Sequence, residues 1–237
     1  MIFNRVLSLC SVSVIGPRNL HEKKSNQDAV MHRFWRKNWC IAVCDGMGSK
    51  PLSHIGSSLA CRSVCDVLKH CDFSLTEKEV AKKVYLYWLK LLKEKNILPT
   101  DAATTCLFAW GNGQGKVRLF QLGDGAIYYQ TESFGHVSVK SDDLFSNQTN
   151  ALGYSKKWDD WAYKEIHLTS QKHGIVLLTD GISDDLFNEQ LFTSTLIQKA
   201  TLQSVRRLKK YIQHELHNWP TPQHSDDKSI GIVFWKK

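Results

Sequence analysis

Three apolar stretches of this chain end in the same way, with an aspartate followed directly by a glycine. The aspartates are Asp45, Asp124 and Asp180, and each follows a short, mostly apolar segment that is typical of a buried strand. Asp28 opens another apolar segment, and Asp226 lies just before the last one. Because strand ends can converge on one edge of a layered sheet, this pattern predicts a cluster of carboxylates.

Such a cluster would need positive charge. A buried carboxylate is costly without compensation, and neighbouring carboxylates raise one another's pKa. Oxygen ligands of this kind suit Mg²⁺ or Mn²⁺, and the glycine after each aspartate permits close approach of the main chain. The alternative is that each Asp-Gly pair is simply a hairpin turn. Three such pairs, together with Asp28 and Asp226, favour a metal site.

The hydrophobic periodicity predicts blocks of strands and helices that alternate along the chain. Apolar residues at helical spacing predict two helices, from the pattern over residues 55–68 and over residues 80–92, the second opened by a capping box over residues 74–77. Two amphipathic segments, residues 189–200 and 202–219, predict two more. Residues 126–130 are expected to continue the sheet begun just before them, and the polar residues 141–161 to form a mobile surface loop. Strands are predicted at residues 6–14, 28–34, 39–44, 103–110, 116–122, 126–130, 175–178 and 229–235.

This order of elements favours an α+β layered sandwich with antiparallel sheets and outer helices over regular βαβ alternation. The 237 residues contain no linker or repeat, which indicates a single domain over residues 1–237. The net charge is +8, but the basic residues are scattered, which disfavours a nucleic-acid partner. No apolar run is long enough to cross a membrane, and the seven cysteines lack zinc-site spacing. We therefore expect a cytoplasmic monomer with reduced cysteines.

Six short segments carry a resemblance to a known family, in family order and over nearly the whole chain. They are SNQDA at 25–29, VCDGMG at 43–48, ATT at 103–105, LGDG at 122–125, LTDGISD at 178–184 and SDDKS at 225–229. Together they resemble the metal-dependent type 2C protein phosphatases, and residues 45–60 are most similar to the compact bacterial branch. The resemblance implies a four-layer α-β-β-α sandwich with two central antiparallel sheets.

The resemblance also implies a binuclear Mn²⁺ or Mg²⁺ site. Asp45 would bridge the two ions, and the Gly46 carbonyl would bind one of them. Asp180 and Asp226 would complete the shell of the other ion. Asp124 matches the position that helps to hold a third, weaker ion in bacterial members.

The implied reaction is hydrolysis of phosphoserine or phosphothreonine in a protein substrate. A water bridging two cations becomes a hydroxide nucleophile near neutral pH, and Asp28 would orient metal-bound water. The chain would act without a phosphoenzyme, and by analogy it would oppose a Ser/Thr kinase.

Several positions depart from the family pattern. Gln27 stands where many members have Glu, and Met47 stands where some have a histidine general acid, so His54 is a candidate substitute. The phosphate-gripping arginine has no clean match, which leaves Lys23 or Arg18 as phosphate ligands.

Two further aspartates are secondary candidates for the site. Asp184 is a candidate site residue or a cap for the following helix, and Asp227 replaces the family's Asn and is expected to be exposed.

Two alternatives to an active protein phosphatase therefore stay open. The first is a catalytically weak or inactive phosphatase-like module that binds a phosphoprotein or kinase, which Gln27 and Met47 favour. The second is a metal-dependent hydrolase of another phosphoester, such as a metabolite or nucleotide.

Overall fold

Two five-stranded antiparallel sheets form the centre of the protein. The computed structural model describes residues 6–36, 38–138, 150–220 and 225–236. Sheet 1 has the order β1 (Val6–Val14), β10 (Lys228–Lys236), β9 (Gly174–Leu178), β6 (Ala126–Gln130) and β7 (Phe134–His136). Sheet 2 has the order β2 (Asp28–Trp35), β3 (Asn38–Asp45), β4 (Cys106–Gly111), β5 (Lys116–Leu122) and β8 (Ala162–His167).

Helices cover the outer face of each sheet. The helices are α1 (Pro17–His21), α2 (Ser53–Leu68), α3 (Glu77–Glu94), α4 (Asp180–Ser183), α5 (Glu189–Leu202) and α6 (Val205–His217), with short 3-10 turns at Pro99–Ala102 and Trp158–Asp160. Helices α2 and α3 pack on sheet 2 through residues such as Trp88 and Phe108, and α5 and α6 pack on sheet 1 through residues such as Ile212. Between the sheets lies a third apolar layer that includes Ile41 and Leu177. The predicted four-layer α-β-β-α sandwich is therefore confirmed.

Strand register brings the aspartates to one edge of the sandwich. Asp28 and Asp45 are paired across β2 and β3, at the ends of these two strands. In sheet 1, Leu178 near the end of β9 pairs with Ile230 of β10. Asp180 follows β9, and Asp226 precedes β10, so the chain leaves and enters sheet 1 at this same end.

The structure corrects three details of the sequence interpretation. Strand β6 does not continue the sheet of β5 but lies in the opposite sheet, between β9 and β7. The turn that redirects the chain uses Gly123 and Gly125, whose φ angles of 88° and 95° favour glycine. Strand β8, which the sequence pattern does not predict, pairs with β5 at the edge of sheet 2. The capping box of α3 is formed by Thr76 and Glu79, not by residues 74–77.

The segment predicted as a mobile loop is only partly described. Residues 141–149 lie outside the described residues. The part after them is packed: Ala151 and Leu152 are buried, and Leu152 exchanges backbone hydrogen bonds with Thr104 of 3.3 and 2.8 Å. Within the described ranges, no helix combines the length and the apolar character needed to cross a membrane.

The capping box of α3 makes a testable contribution to stability. Thr76 Oγ1 accepts a hydrogen bond from Glu79 N, and the Glu79 carboxylate accepts one from Thr76 N at 2.8 Å. Thr76→Ala is expected to lower the free energy of unfolding by about 1 kcal/mol, because it leaves helix-end N–H groups without this partner. Urea unfolding measures the change. The control is Thr195→Ala, an exposed position inside α5, where a change within about 0.5 kcal/mol is expected; equal losses in both variants would contradict the assignment.

Candidate metal centre

Asp28 and Asp45 form the centre of the predicted carboxylate cluster. Their paired positions at the ends of β2 and β3 bring the two carboxyl groups close enough to perturb each other's pKa. Thr179 Oγ1 donates a hydrogen bond of 2.9 Å to Asp28 Oδ2. The backbone of Asp45 is fixed by Thr105, whose hydroxyl accepts from Asp45 N at 2.8 Å and whose N–H donates to Asp45 O at 2.8 Å. Both sheets therefore hold this pair in place.

Asp180 and Asp226 join the pair from sheet 1. The Asp180 carboxylate accepts a 2.6 Å hydrogen bond from Gly181 N, and its charge raises the pKa of Asp45. Asp226 Oδ1 accepts from Asp227 N at 3.0 Å. Asp28, Asp45, Asp180 and Asp226 are called the aspartate cluster below.

The charges of the aspartate cluster disfavour one another. Burial raises the pKa of Asp45 well above its ordinary value, and the neighbouring carboxylates of Asp28, Asp180 and Asp226 raise it further. Burial likewise raises the pKa of Asp28, although its hydrogen bonds work against this. The pKa of Asp180 is raised by burial and then by Asp226. Without added positive charge, the cluster is therefore inclined to hold protons.

The donor set fits hard divalent cations. Every member of the cluster offers carboxylate oxygen, which is the ligand type that Mg²⁺ and Mn²⁺ prefer. Cations would replace the protons and remove the mutual repulsion that raises the pKa values. Within the described ranges, no three acidic, histidine or cysteine side chains are already spaced as a finished ion cage.

Gly46 lies where the main chain approaches closely. The residue is buried, and a Cβ at this position would lie 2.6 Å from the backbone oxygen of Ser53. Only glycine therefore fits here without displacement. Asp124 is exposed on the turn between β5 and β6. This turn packs closely, because a Cβ on Gly123 would lie 2.8 Å from the Thr105 side chain and a Cβ on Gly125 would lie 2.5 Å from the Leu178 carbonyl oxygen.

The two candidate phosphate ligands differ in position. A terminal guanidinium nitrogen of Arg18 lies 3.6 Å from Asp226 Oδ2, so the structure brings this side chain to the cluster. Lys23 is exposed in the turn after α1, where it adopts a left-handed φ of 54°. Among the described residues, no contact between the Lys23 side chain and the cluster is seen. Of the two, the geometry favours Arg18.

Gln27 is held by protein partners. Its Nε2 donates to Ser53 Oγ at 3.0 Å, and its Oε1 accepts from Asn19 Nδ2 at 3.3 Å. Asp227 is buried, with 2% of its surface exposed, so the expectation that it is exposed was wrong. The reason is that its carboxylate accepts hydrogen bonds from residues far away in the sequence, including Asn19.

The remaining candidates lie around the cluster. Met47 is half-buried, and its N–H donates to the Ala103 carbonyl at 3.0 Å. His54 is half-buried in the first turn of α2, and its side chain is not among the hydrogen-bond partners seen for the cluster in the described residues. Asp184 raises the pKa of Asp180 slightly and does not cap α5, because Asn188 accepts the capping hydrogen bond from Leu191 N at 2.8 Å.

Sequence reasoning missed the hydroxyl groups that hold the cluster. Thr179 hydrogen-bonds Asp28 and also accepts from Ser229 N at 3.0 Å, which joins sheet 1 to sheet 2. Thr104 Oγ1 donates to Asp45 O at 2.8 Å. The sequence signals that were available are the position of Thr179 directly before Asp180 and the position of Thr104 within the segment 103–105.

Comparison with known proteins shows the family and the fold. The family model described as Protein phosphatase 2C matches residues 15–219. Among solved structures, the chain is similar to the catalytic domain of the serine/threonine protein phosphatase PstP in complex with two manganese ions, with 16% identity, coverage of 99% and 100%, and a TM-score of 0.69. It is also similar to RsbX in complex with magnesium, with 12% identity, coverage of 97% and 96%, and a TM-score of 0.61. No curated protein matches the chain.

The match over residues 15–219 and the convergence of the aspartates agree with each other. The chain belongs to the protein phosphatase 2C family, which comprises metal-dependent protein serine/threonine phosphatases.

Proposed function

We propose that this chain hydrolyses phosphoserine and phosphothreonine in proteins at a binuclear Mn²⁺ or Mg²⁺ site. The observation that carries the proposal is the aspartate cluster itself. Burial raises the pKa of Asp28, Asp45 and Asp180, and repulsion from neighbouring carboxylates of the cluster raises the pKa of Asp45 and Asp180 further. When bound, divalent cations supply Lewis acidity and lower the pKa of water toward neutrality. Four carboxylates from two sheets are suited to hold such ions.

Each residue of the cluster has a distinct role in the proposal. The pKa of Asp45 responds to the charges of Asp28, Asp180 and Asp226, and this central position in the electrostatics suits a ligand that two ions would share. The Gly46 carbonyl is assigned to one ion, and Asp180 with Asp226 to the other. Asp28 accepts a hydrogen bond from the Thr179 hydroxyl, and its carboxylate is assigned to orient the attacking water.

Arg18 is assigned to bind the phosphoryl group. Its guanidinium lies beside Asp226 and is half-exposed, so it can turn to pair with two phosphoryl oxygens at once. Lys23 remains a weaker alternative that would act as a point charge. Asp124 is assigned to a third, weaker ion, and Gln27 and Asp184 stay secondary, since Gln27 is engaged by Asn19 and Ser53.

The substrate in this proposal is a phosphorylated protein, and the chain opposes a Ser/Thr kinase. Six of the seven cysteines are buried thiols, and none is paired in a disulfide within the described residues, which supports a reducing compartment such as the cytoplasm. We also propose that the protein is a monomer.

The side chains at positions 27 and 47 favour a second candidate function, a phosphatase-like module with weak metal binding. Gln27 is a neutral side chain whose amide is occupied by protein partners, and Met47 cannot donate a proton. Such a module would bind a phosphoprotein without turnover.

The test is release of phosphate from a phosphothreonine peptide, with and without Mn²⁺. Wild-type protein is expected to show Mn²⁺-dependent release, and Asp180→Asn to lose about 10²–10³-fold, because one ligand of an ion loses its charge. The control is Asp66→Asn, whose carboxylate accepts from Arg62 and Tyr87 at the other end of α2. No release from folded wild type with any metal would favour the binding module. Faster turnover of a nucleotide or sugar phosphate than of peptide would favour a different phosphoester.

A further inference from the structure

Asp227 is a buried carboxylate that the proposed mechanism does not use. Its Oδ1 accepts a 2.6 Å hydrogen bond from Gly16 N. Its Oδ2 accepts from Asn19 Nδ2 at 2.8 Å and from Gln27 N at 2.6 Å. All three donors lie at least 200 positions earlier in the sequence. A buried charge is retained only where strong partners compensate it, and here three donors converge on one side chain.

The first set of contacts holds α1 against the segment that carries Asp226. Gly16 precedes α1 and Asn19 is its middle residue, so Asp227 contacts the start and the middle of this short element. A Cβ on Gly16 would lie 2.3 Å from the Asp226 carbonyl carbon, which shows how closely the two segments pack. Arg18 N also donates to Ser225 O at 3.1 Å. These contacts fix the position from which the Arg18 guanidinium reaches Asp226.

The second set of contacts holds the residue before Asp28. Gln27 N donates to Asp227, and Gln27 O accepts from Gly46 N at 3.0 Å and from Ser57 Oγ at 2.6 Å. The backbone of Gln27 thus lies between Asp227 and Gly46. Since Asp28 follows directly, a shift of Gln27 would move both a cluster carboxylate and the glycine assigned to an ion.

We infer that Asp227 is a positioning residue for the site. Through α1 it holds Arg18 beside Asp226, and through Gln27 it holds Asp28 and Gly46 in place. The inference rests on the proposed function, because it assigns Asp227 to the geometry of that site. A carboxylate is suited to this task, because its two oxygens accept all three donors with charge-assisted bonds. An amide has only one oxygen, so its NH₂ group must face at least one donor.

The experiment measures ion binding and catalysis separately in Asp227→Asn. Loss of one charge-assisted hydrogen bond corresponds to about a tenfold effect or more. We expect the dissociation constant for Mn²⁺, measured by isothermal titration calorimetry without substrate, to rise about tenfold. The KM for the phosphothreonine peptide is expected to rise by a similar factor. Asp66→Asn is the matched control and should change neither quantity by more than about twofold.

A double-mutant cycle tests the contact through α1. If Asp227 acts on phosphate binding through Arg18, then Arg18→Ala should weaken inhibition by inorganic phosphate. At saturating Mn²⁺, which compensates for weaker ion binding, Asp227→Asn should add less than about twofold in the Arg18→Ala background, because the side chain that it positions is gone. Full additivity of the two changes would contradict this part of the inference.

Other outcomes are also decisive. A folded Asp227→Asn protein with a lower melting temperature but wild-type Mn²⁺ affinity and KM would overturn the inference, because the residue would then serve stability alone. If Asp227→Asn does not fold, Asn19→Ala removes one donor only, and it should still raise the phosphate inhibition constant. Unchanged inhibition in Asn19→Ala would overturn the inference as well. If wild type neither binds Mn²⁺ nor releases phosphate, the proposed function fails first and the inference falls with it.

Discussion

Asp45→Asn is expected to abolish Mn²⁺-dependent hydrolysis and at the same time to stabilise the metal-free protein. Asp45 lies between Asp28 and Asp180 and is the one carboxylate whose pKa is raised by all three other members of the cluster. Its loss removes the ligand assigned to both ions. Because each tenfold in rate corresponds to about 1.4 kcal/mol, loss of several kcal/mol of transition-state stabilisation predicts a decrease in kcat/KM on the order of 10⁴-fold.

The gain in stability follows from the same electrostatics. An asparagine at position 45 carries no charge, and its amide can donate permanently to the Asp28 carboxylate, where Asp45 does so only when a proton is present. At pH 8, we expect the metal-free variant to be more stable than the wild type by on the order of 1–2 kcal/mol, as is common when a strained active site is relaxed. For a chain of this size, that corresponds to roughly 2–4 °C in melting temperature per kcal/mol.

Differential scanning fluorimetry with a chelator present and the phosphopeptide assay together check this prediction. Asp66→Asn again serves as the control, since it removes an equally negative side chain away from the cluster. An Asp45→Asn protein that is less stable than the wild type without metal would show that the cluster is not electrostatically strained. Retention of Mn²⁺-dependent turnover would remove Asp45 from the ion site.

The sequence was most informative where a local pattern determines local structure. Strands such as β3 and β9 are mostly apolar and end at clear turn residues, and Asp45 and Asp180 at their ends were identified from this pattern alone. Strand β8 was missed because its central residues, Lys164 and Glu165, are charged and exposed at the sheet edge. The sheet to which β6 belongs depends on which strands it meets, and its own five residues do not specify this.

The burial of Asp227 is a feature of the site that the sequence could not predict. In the sequence, it stands in a polar segment, Ser225-Asp226-Asp227-Lys228, that is typical of an exposed turn. Its burial is caused by partners that the fold brings from the opposite end of the chain, Gly16, Asn19 and Gln27. Such long-range hydrogen bonds leave no periodic signal, so only the structure could show that this aspartate is held inside.

The stabilisation that Mn²⁺ gives to the protein is expected to grow with pH. Carboxyl groups whose pKa is higher in the folded than in the unfolded chain bind extra protons when folded. Without metal, their contribution to stability is therefore complete below the ordinary value of about 4 and is lost as pH rises through the raised values. Cations bind the deprotonated carboxylates and compete with these protons, so their effect is larger where protons are scarce.

Melting temperatures at pH 5.5 and pH 8, each with chelator and with excess Mn²⁺, measure this linkage. At about 1,000 times the dissociation constant, Mn²⁺ is expected to add about 4 kcal/mol at pH 8 and clearly less at pH 5.5. Other groups also titrate in this range, so the comparison is made against Asp45→Asn, in which both the metal-free decline with pH and the response to Mn²⁺ should be smaller. Equal stabilisation by Mn²⁺ at the two pH values would mean that the ion binds elsewhere, because Mn²⁺ competes with the protons of the aspartate cluster only if it binds there. An equal response to Mn²⁺ in Asp45→Asn would lead to the same conclusion.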